Sequence, residues 1–341
     1  MEKVDRKVLR LSATLAVGLS CLVPSAVSAH DSPCGDGACP AVETRTLENE
    51  FLKVVVVPAW GGRMMFFGRP GGKNALWTDC AAARNTVDAN GNAVWKNVGG
   101  EKTWVGTMPI WKGFADSGEM WPPCKWFDSG ALEVVRANGT NILLKTATYR
   151  SGEWTVALER EFTLVGDRLL LRETLISPDG GEPVEDDSRR VWSVTQIPLV
   201  DRVSVRMTGS GRAIRHCDSV ALPAAQDGWA VADLSVAKRH GRCAFDGDAI
   251  AADIPGVGRL LIEQQAAERH IEKLFNEPSR AIVYTTGRDF KPSTWSGFGT
   301  HPYVELEFVA LGPDAEHTLT FKITEASASS QTSSSVANPR Q

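Results

Sequence analysis

Apolar and polar residues alternate along most of this chain with the two-residue period of β-strands, not the three-to-four-residue period of helices. Phe51–Val57 is a β-branched run stopped by Pro58, and Gly62–Gly68 follows a glycine pair. Ile142–Tyr149 and Trp154–Leu164 come next, and Gly166-Asp167 turns the chain into Leu169–Ile176, a hairpin signature. Val191–Ile197, Val203–Met207, Val231–Leu234, Leu260–Gln264, Ile282–Thr286, Tyr303–Leu311 and Thr318–Thr324 complete the set. Gln265–Phe275 is the one segment that reads as a helix. So many short strands separated by Gly, Pro and Asp turns predict one large all-β sandwich over residues 42–326. The Ser-rich end, 327–341, has low complexity and is expected to be disordered.

One stretch breaks the pattern. Between Val94 and Asp128 lie five of the eleven Trp: Trp95, Trp104, Trp111, Trp121 and Trp126. Trp60 and Trp77 lie just upstream. The mixture of Gly, Pro and Trp predicts long ordered loops presenting flat indoles, with no regular helix. An indole offers a broad apolar face and one N–H donor. That suits a sugar ring, with C–H groups on its faces and hydroxyls round its edge. The same indoles could equally plug the open end of a sandwich.

The start of the chain changes the picture of compartment. Lys3, Arg6, Lys7 and Arg10 precede the apolar run Leu11–Val23, and Val27-Ser28-Ala29 supplies small residues for cleavage. Residues 1–29 therefore read as a secretory signal peptide, and the apolar run is too short to span a bilayer. Gly18-Leu19-Ser20 before Cys21 is a poor lipoprotein signal. The expected product is periplasmic or secreted, opening with a Cys-containing segment over 30–41. Cys21 leaves with the signal, so six of the seven Cys remain. An even count in an oxidising compartment permits three disulfides. Local economy favours Cys34–Cys39, Cys80–Cys124 and Cys217–Cys243, against free buried Cys acting as small hydrophobes.

Charge and motifs exclude more than they assign. The chain carries −4 with no basic stripe, so nucleic acid is not an expected partner. Nothing beyond the signal points to a membrane. Gly99-Gly100-Glu101-Lys102-Thr103 superficially looks like a P-loop, but Glu101 interrupts the Gly-Lys pair and no strand-to-helix context follows. The six His, at 30, 216, 240, 270, 301 and 317, form no metal-ligand spacing, and no cofactor or metal is expected. The G-x-S-x-G elbow of a serine hydrolase is missing.

The segment LENEFLKVVVVPAWGGRMMFFGRPGGKNALW resembles the opening of galactose mutarotase-like domains. NVGGEKTW, WPPCKWFD, VWSVTQIP and YVELEF resemble a bacterial family called domain of unknown function 4380. The likeness runs over about residues 45–325 and implies a β-supersandwich with a carbohydrate site on its concave sheet. Aldose 1-epimerases similar to this fold use a carboxylate on a late strand as base and a His as acid. In Tyr303–Leu311, Glu305 and Glu307 share a face opposite Val304, Leu306 and Phe308, and the resemblance puts Glu305 at the base position. Where it calls for a His on a central strand, this chain has Gln196, whose amide can bind a hydroxyl but cannot act as a proton donor in catalysis. His301, just before the late strand, is the substitute within reach. Arg63 and Lys102 read as donors to a substrate carboxylate or hydroxyl, with Trp104 or Trp121 at the wall. The expected function is carbohydrate binding with proton transfer at the anomeric centre of a sugar or uronate. A non-catalytic sugar-binding module, and a hydrolase or lyase using Glu305 and Glu307, remain open beside it.

Overall fold

In chain order the strands are β1 (Arg45–Glu48), β2 (Lys53–Val57), β3 (Arg63–Gly68), β4 (Glu101–Val105), β5 (Glu133–Ala137), β6 (Asn141–Lys145), β7 (Tyr149–Ser151), β8 (Trp154–Val165), β9 (Arg168–Ile176), β10 (Arg190–Pro198), β11 (Arg202–Met207), β12 (His216–Asp218), β13 (Trp229–Asp233), β14 (Gly241–Phe245), β15 (Gly247–Ile254), β16 (Gly258–Gln264), β17 (Ala281–Thr285), β18 (Tyr303–Leu311) and β19 (Glu316–Thr324). The described residues also include a one-turn helix, α1 (Lys125–Asp128), and a 3-10 turn over Pro58–Trp60. These elements come from a computed structural model that describes residues 42–79, 82, 95–106, 123, 125–151, 154–178, 190–208, 216–218, 220–221, 227–265, 281–291, 299–311 and 316–326. By backbone contacts the chain divides into Met1–His30 and Asp31–Gln341, and every described residue belongs to the second unit. The expected signal peptide, Cys34–Cys39, Cys80–Cys124, most of the helix expected over Gln265–Phe275 and the Ser-rich tail therefore lie outside the described residues. No described helix is long and apolar enough to cross a membrane.

The strands form two antiparallel sheets. One has nine strands in the order β1-β2-β3-β4-β10-β18-β17-β14-β12. The other has ten, ordered β13-β11-β15-β16-β19-β9-β8-β6-β5, with β7 added on β8. This is the large all-β sandwich that the periodicity predicts, with the two broad sheets of the supersandwich that the resemblance implies. Alternation sets the core: Val304, Leu306 and Phe308 of β18 point into the space between the sheets, with Val54, Val56, Leu169, Leu171, Ile262 and Leu319. Phe67 of β3 meets Phe321 of β19 edge-on, with ring centroids 5.7 Å apart. Each such fully buried side chain contributes about 1.5–3 kcal/mol, so apolar packing holds the two layers together.

A polar knot interrupts this apolar layer. Arg160 of β8, Glu101 and Thr103 of β4, Glu173 of β9 and Ser193 of β10 all lie in the interior. Arg160 pairs with Glu101 and Glu173 and donates through Nη1 to the Gly62 carbonyl at 2.6 Å. The Thr103 hydroxyl donates to Glu173, and the Ser193 hydroxyl donates to Glu101 at 3.2 Å. Burial pushes Glu101 up to about 7, with Glu173 adding to the rise and Arg160 opposing it. Ion pairs this deep gain little net stability against the cost of dehydration.

Several strands differ from the sequence expectation. The GGEKTWV segment, expected as loop, contains β4, a strand buried along its whole length. Its side chains alternate between two different polar environments, so no apolar-polar alternation marks it. α1 places a helical turn in the same Trp-rich stretch. Ile142–Tyr149 divides into β6 and the start of β7. β18 itself is flanked by β10 and β17, so Glu305 and Glu307 stand within the sheet and not at its edge.

Candidate functional site

Antiparallel register arranges the outer face of the nine-stranded sheet in rows. Gln196, Glu305, Tyr284 and Arg242 stand side by side on β10, β18, β17 and β14. In the next row Lys102 of β4 stands beside Val194, Glu307 and Ile282. In the third, Trp104 stands beside Trp192 and Val309. Arg63 of β3 lies next to Lys102, one step from the Met64–Glu101 pair. Arg63, Lys102, Trp104, Gln196 and Glu305, from four strands distant in sequence, thus share one face.

Each side chain is held by specific partners. Gln196 Nε2 donates to Glu305 Oε1 at 2.7 Å. Trp192 Nε1 and Arg242 Nη2 donate to Glu307 Oε2 at 2.8 and 3.0 Å. Arg242 also lies over the Trp192 ring, 5.5 Å from its centroid. Burial pushes Glu307 up to about 7; Glu305 adds to this and Arg242 opposes it. Burial and the two carboxylates likewise push the Tyr284 hydroxyl up. Trp104 and Trp192 meet nearly perpendicular, at 85°, with centroids 5.2 Å apart.

Asp128 organises the other side. Its fully buried carboxylate accepts from Arg63 Nη2 at 2.9 Å, Trp95 Nε1 at 2.9 Å and Trp104 Nε1 at 2.7 Å. Burial disfavours its charge, but Arg63, Lys102 and the indole donors outweigh that and hold its pKa below the ordinary value. Lys102 is 1% exposed. Its Nζ donates to Asn97 Oδ1 at 3.3 Å and lies 4.7 Å from the Trp104 centroid. Burial, then the Arg63 charge, lowers it to about 8, with Asp128, Glu305 and Glu307 pulling the other way.

Two glycines make this packing possible. Gly99 and Gly100 take φ of +85° and +81°, which side-chain-bearing residues adopt rarely. A Cβ on Gly99 would sit 2.2 Å from the Trp77 carbonyl oxygen, and one on Gly100 2.5 Å from that of Met64. The turn frees the Gly99 carbonyl to accept from Arg63 Nη1 at 3.0 Å. The Gly100 carbonyl accepts from the Gln196 N–H at 3.0 Å.

The other expected site residues fall differently. His301 is exposed before β18, its Nδ1 2.8 Å from the Thr300 hydroxyl, and none of its described hydrogen bonds reaches Gln196, Glu305 or Lys102. Trp121 lies outside the described residues. Sequence reasoning missed Asp128, Arg242, Tyr284 and the part played by Trp192. Asp128 closes the WPPCKWFD motif and Trp192 shares the parity of Gln196, so both carried a signal. Arg242 and Tyr284 become visible only through strand pairing.

No family model matches the chain, and no curated protein sequence does. Among solved structures it is similar to a galactose mutarotase-like protein from Lactobacillus casei ATCC 334, at 8% identity over 82% of this chain and 99% of that one, with a TM-score of 0.49. It is also similar to the Slr1438 protein from Synechocystis sp. PCC 6803, at 12% identity over 84% of this chain and 97% of that one. The TM-score there is 0.52, and at such identity the likeness is one of fold.

Proposed function

We propose that the outer face of the nine-stranded sheet binds a carbohydrate and isomerises it at the anomeric centre, in the manner of an aldose 1-epimerase acting on a sugar or uronate. One observation carries this reading: Lys102, Gln196, Glu305 and Glu307 converge on a face walled by Trp104 and Trp192. Indole faces match C–H groups of a sugar, while the carboxylates, amide and ammonium match its hydroxyls. Glu305 is the base, since Gln196 fixes one of its oxygens and leaves the other for an anomeric hydroxyl. Wild-type protein should accelerate exchange between α and β anomers of some aldose, measured by NMR saturation transfer. Glu305→Gln should lower that rate by roughly 100-fold or more while sugar affinity changes only a few-fold.

Gln196, standing where an acid is called for, favours a second reading, a binding module without catalysis. Sugar binding with no acceleration of any aldose in a broad panel would select it.

Export belongs to the same proposal. Residues 1–29 would be removed, and Cys217, which faces Cys243 in register between β12 and β14, would bridge to it in an oxidising compartment. Cys243 is fully buried. A non-reducing peptide digest of the exported protein should show a chain beginning at His30 and a linked Cys217–Cys243 peptide pair. An uncleaved start, or two free thiols, would contradict the respective half.

A further inference from the structure

An acid/base isomerisation needs a proton donor as well as a base, and the Gln196 amide cannot release a proton. Resting on the isomerase reading above, we propose that Lys102 is that donor, delivering a proton to the ring oxygen while Glu305 takes one from the anomeric hydroxyl.

The cations of this face are not equivalent. Arg63 is committed to Asp128 and Arg242 to Glu307. Lys102 forms no ion pair among the described residues, and its single hydrogen bond, to Asn97 Oδ1, is long at 3.3 Å. An ammonium has three donors. A buried one with two of them uncommitted is costly unless a ligand completes it. The indole faces of Trp104 and Trp95, 4.7 and 5.9 Å from Nζ, hold the cation without offering a proton acceptor.

The spacing fits the step. β10 separates β4 from β18, so the backbones carrying Lys102 and Glu305 lie about 10 Å apart across the sheet. They also stand one row apart along it. Both side chains stand on the same face of the sheet, with Gln196 and Val194 of β10 between their strands. In the reaction Glu305 accepts the hydroxyl proton, the bond between C1 and the ring oxygen breaks, and its electron pair takes the proton from Lys102 Nζ. Rotation about C1–C2 of the open aldehyde and reversal of both transfers give the other anomer, with Lys102 and Glu305 restored.

The groups that face Lys102 set its readiness. Arg63 comes from β3, Asp128 from α1, Glu305 and Glu307 from β18, with Tyr284 on β17 and Arg242 on β14 beyond the carboxylates. Their balance with burial brings Lys102 to about 8, charged at neutral pH yet able to part with its proton.

The test compares wild type with Lys102→Arg, which keeps the charge but holds its proton at every accessible pH. Exchange by the wild type should decline as pH rises through about 8. Lys102→Arg should still bind sugar and lose roughly 100-fold or more in exchange rate at saturating sugar. A variant rate within threefold of wild type would overturn the assignment and leave the isomerase reading standing. A wild-type profile with no alkaline decline would do the same without relying on the variant's folding. Sugar binding with no exchange by the wild type would remove both.

Discussion

Asp128 shows how much one buried side chain can organise. One carboxylate orients Arg63, Trp95 and Trp104 and is, ahead of Glu305 and Glu307, the charge that most raises the Lys102 pKa. Asp128→Asn keeps the shape but leaves the Arg63 guanidinium buried without its counter-charge. Removing one partner of such a pair costs about 3–5 kcal/mol, which denaturant unfolding will measure. It also removes a group that raises the Lys102 pKa, so the alkaline decline of exchange should move below about 8. A smaller loss together with an unmoved profile would show that Asp128 is not the organiser. The polar residues named from sequence alone, Arg63, Lys102, Gln196 and Glu305, fall on one face of the nine-stranded sheet, where strand parity and flanking motifs made them readable. His301 was chosen for closeness in sequence, and closeness along a chain does not fix where a loop side chain points.

At the level of elements, strands with an apolar inner face were legible and strands without one were not. β18 announces itself through Val304, Leu306 and Phe308 against Glu305 and Glu307. β4 does not, because Glu101 and Thr103 enter the interior knot while Lys102 and Trp104 serve the outer face. Polarity on both sides erases the two-residue signal. β15, GDAIAADI, was missed because alanines carry little strand preference, although Ala249, Ile250 and Ala252 are buried. The pairing that brings Arg242 to Glu307 involves β14, β17 and β18, a relation between segments that no single window contains.

For the whole molecule, the interior knot ties stability to pH. Glu101, raised from 4.5 to about 7, holds a proton in the folded state that the unfolded chain has released, so folding loses stability as pH climbs between those values. Glu307 contributes with the same sign over the same window. Glu173, held below 4.5, acts oppositely and only at more acid pH. Unfolding midpoints in urea should therefore fall from about pH 4.5 to about pH 7. Glu101→Gln should reduce that slope, and the further change Glu307→Gln should remove it. An unchanged slope in the double variant would place the titration elsewhere. β4 also has a consequence for how the chain finds its fold. Its two faces carry opposite requirements, Glu101 for Arg160 and Lys102 for the indoles. A slip of one residue at Gly99-Gly100 would bury an ammonium against a guanidinium and set a carboxylate on an indole face, and mispairing by one residue reverses every side chain of a strand. The charges of β4 thus act as an error check on register, penalising the shifted alignment in a way that apolar residues alone would not.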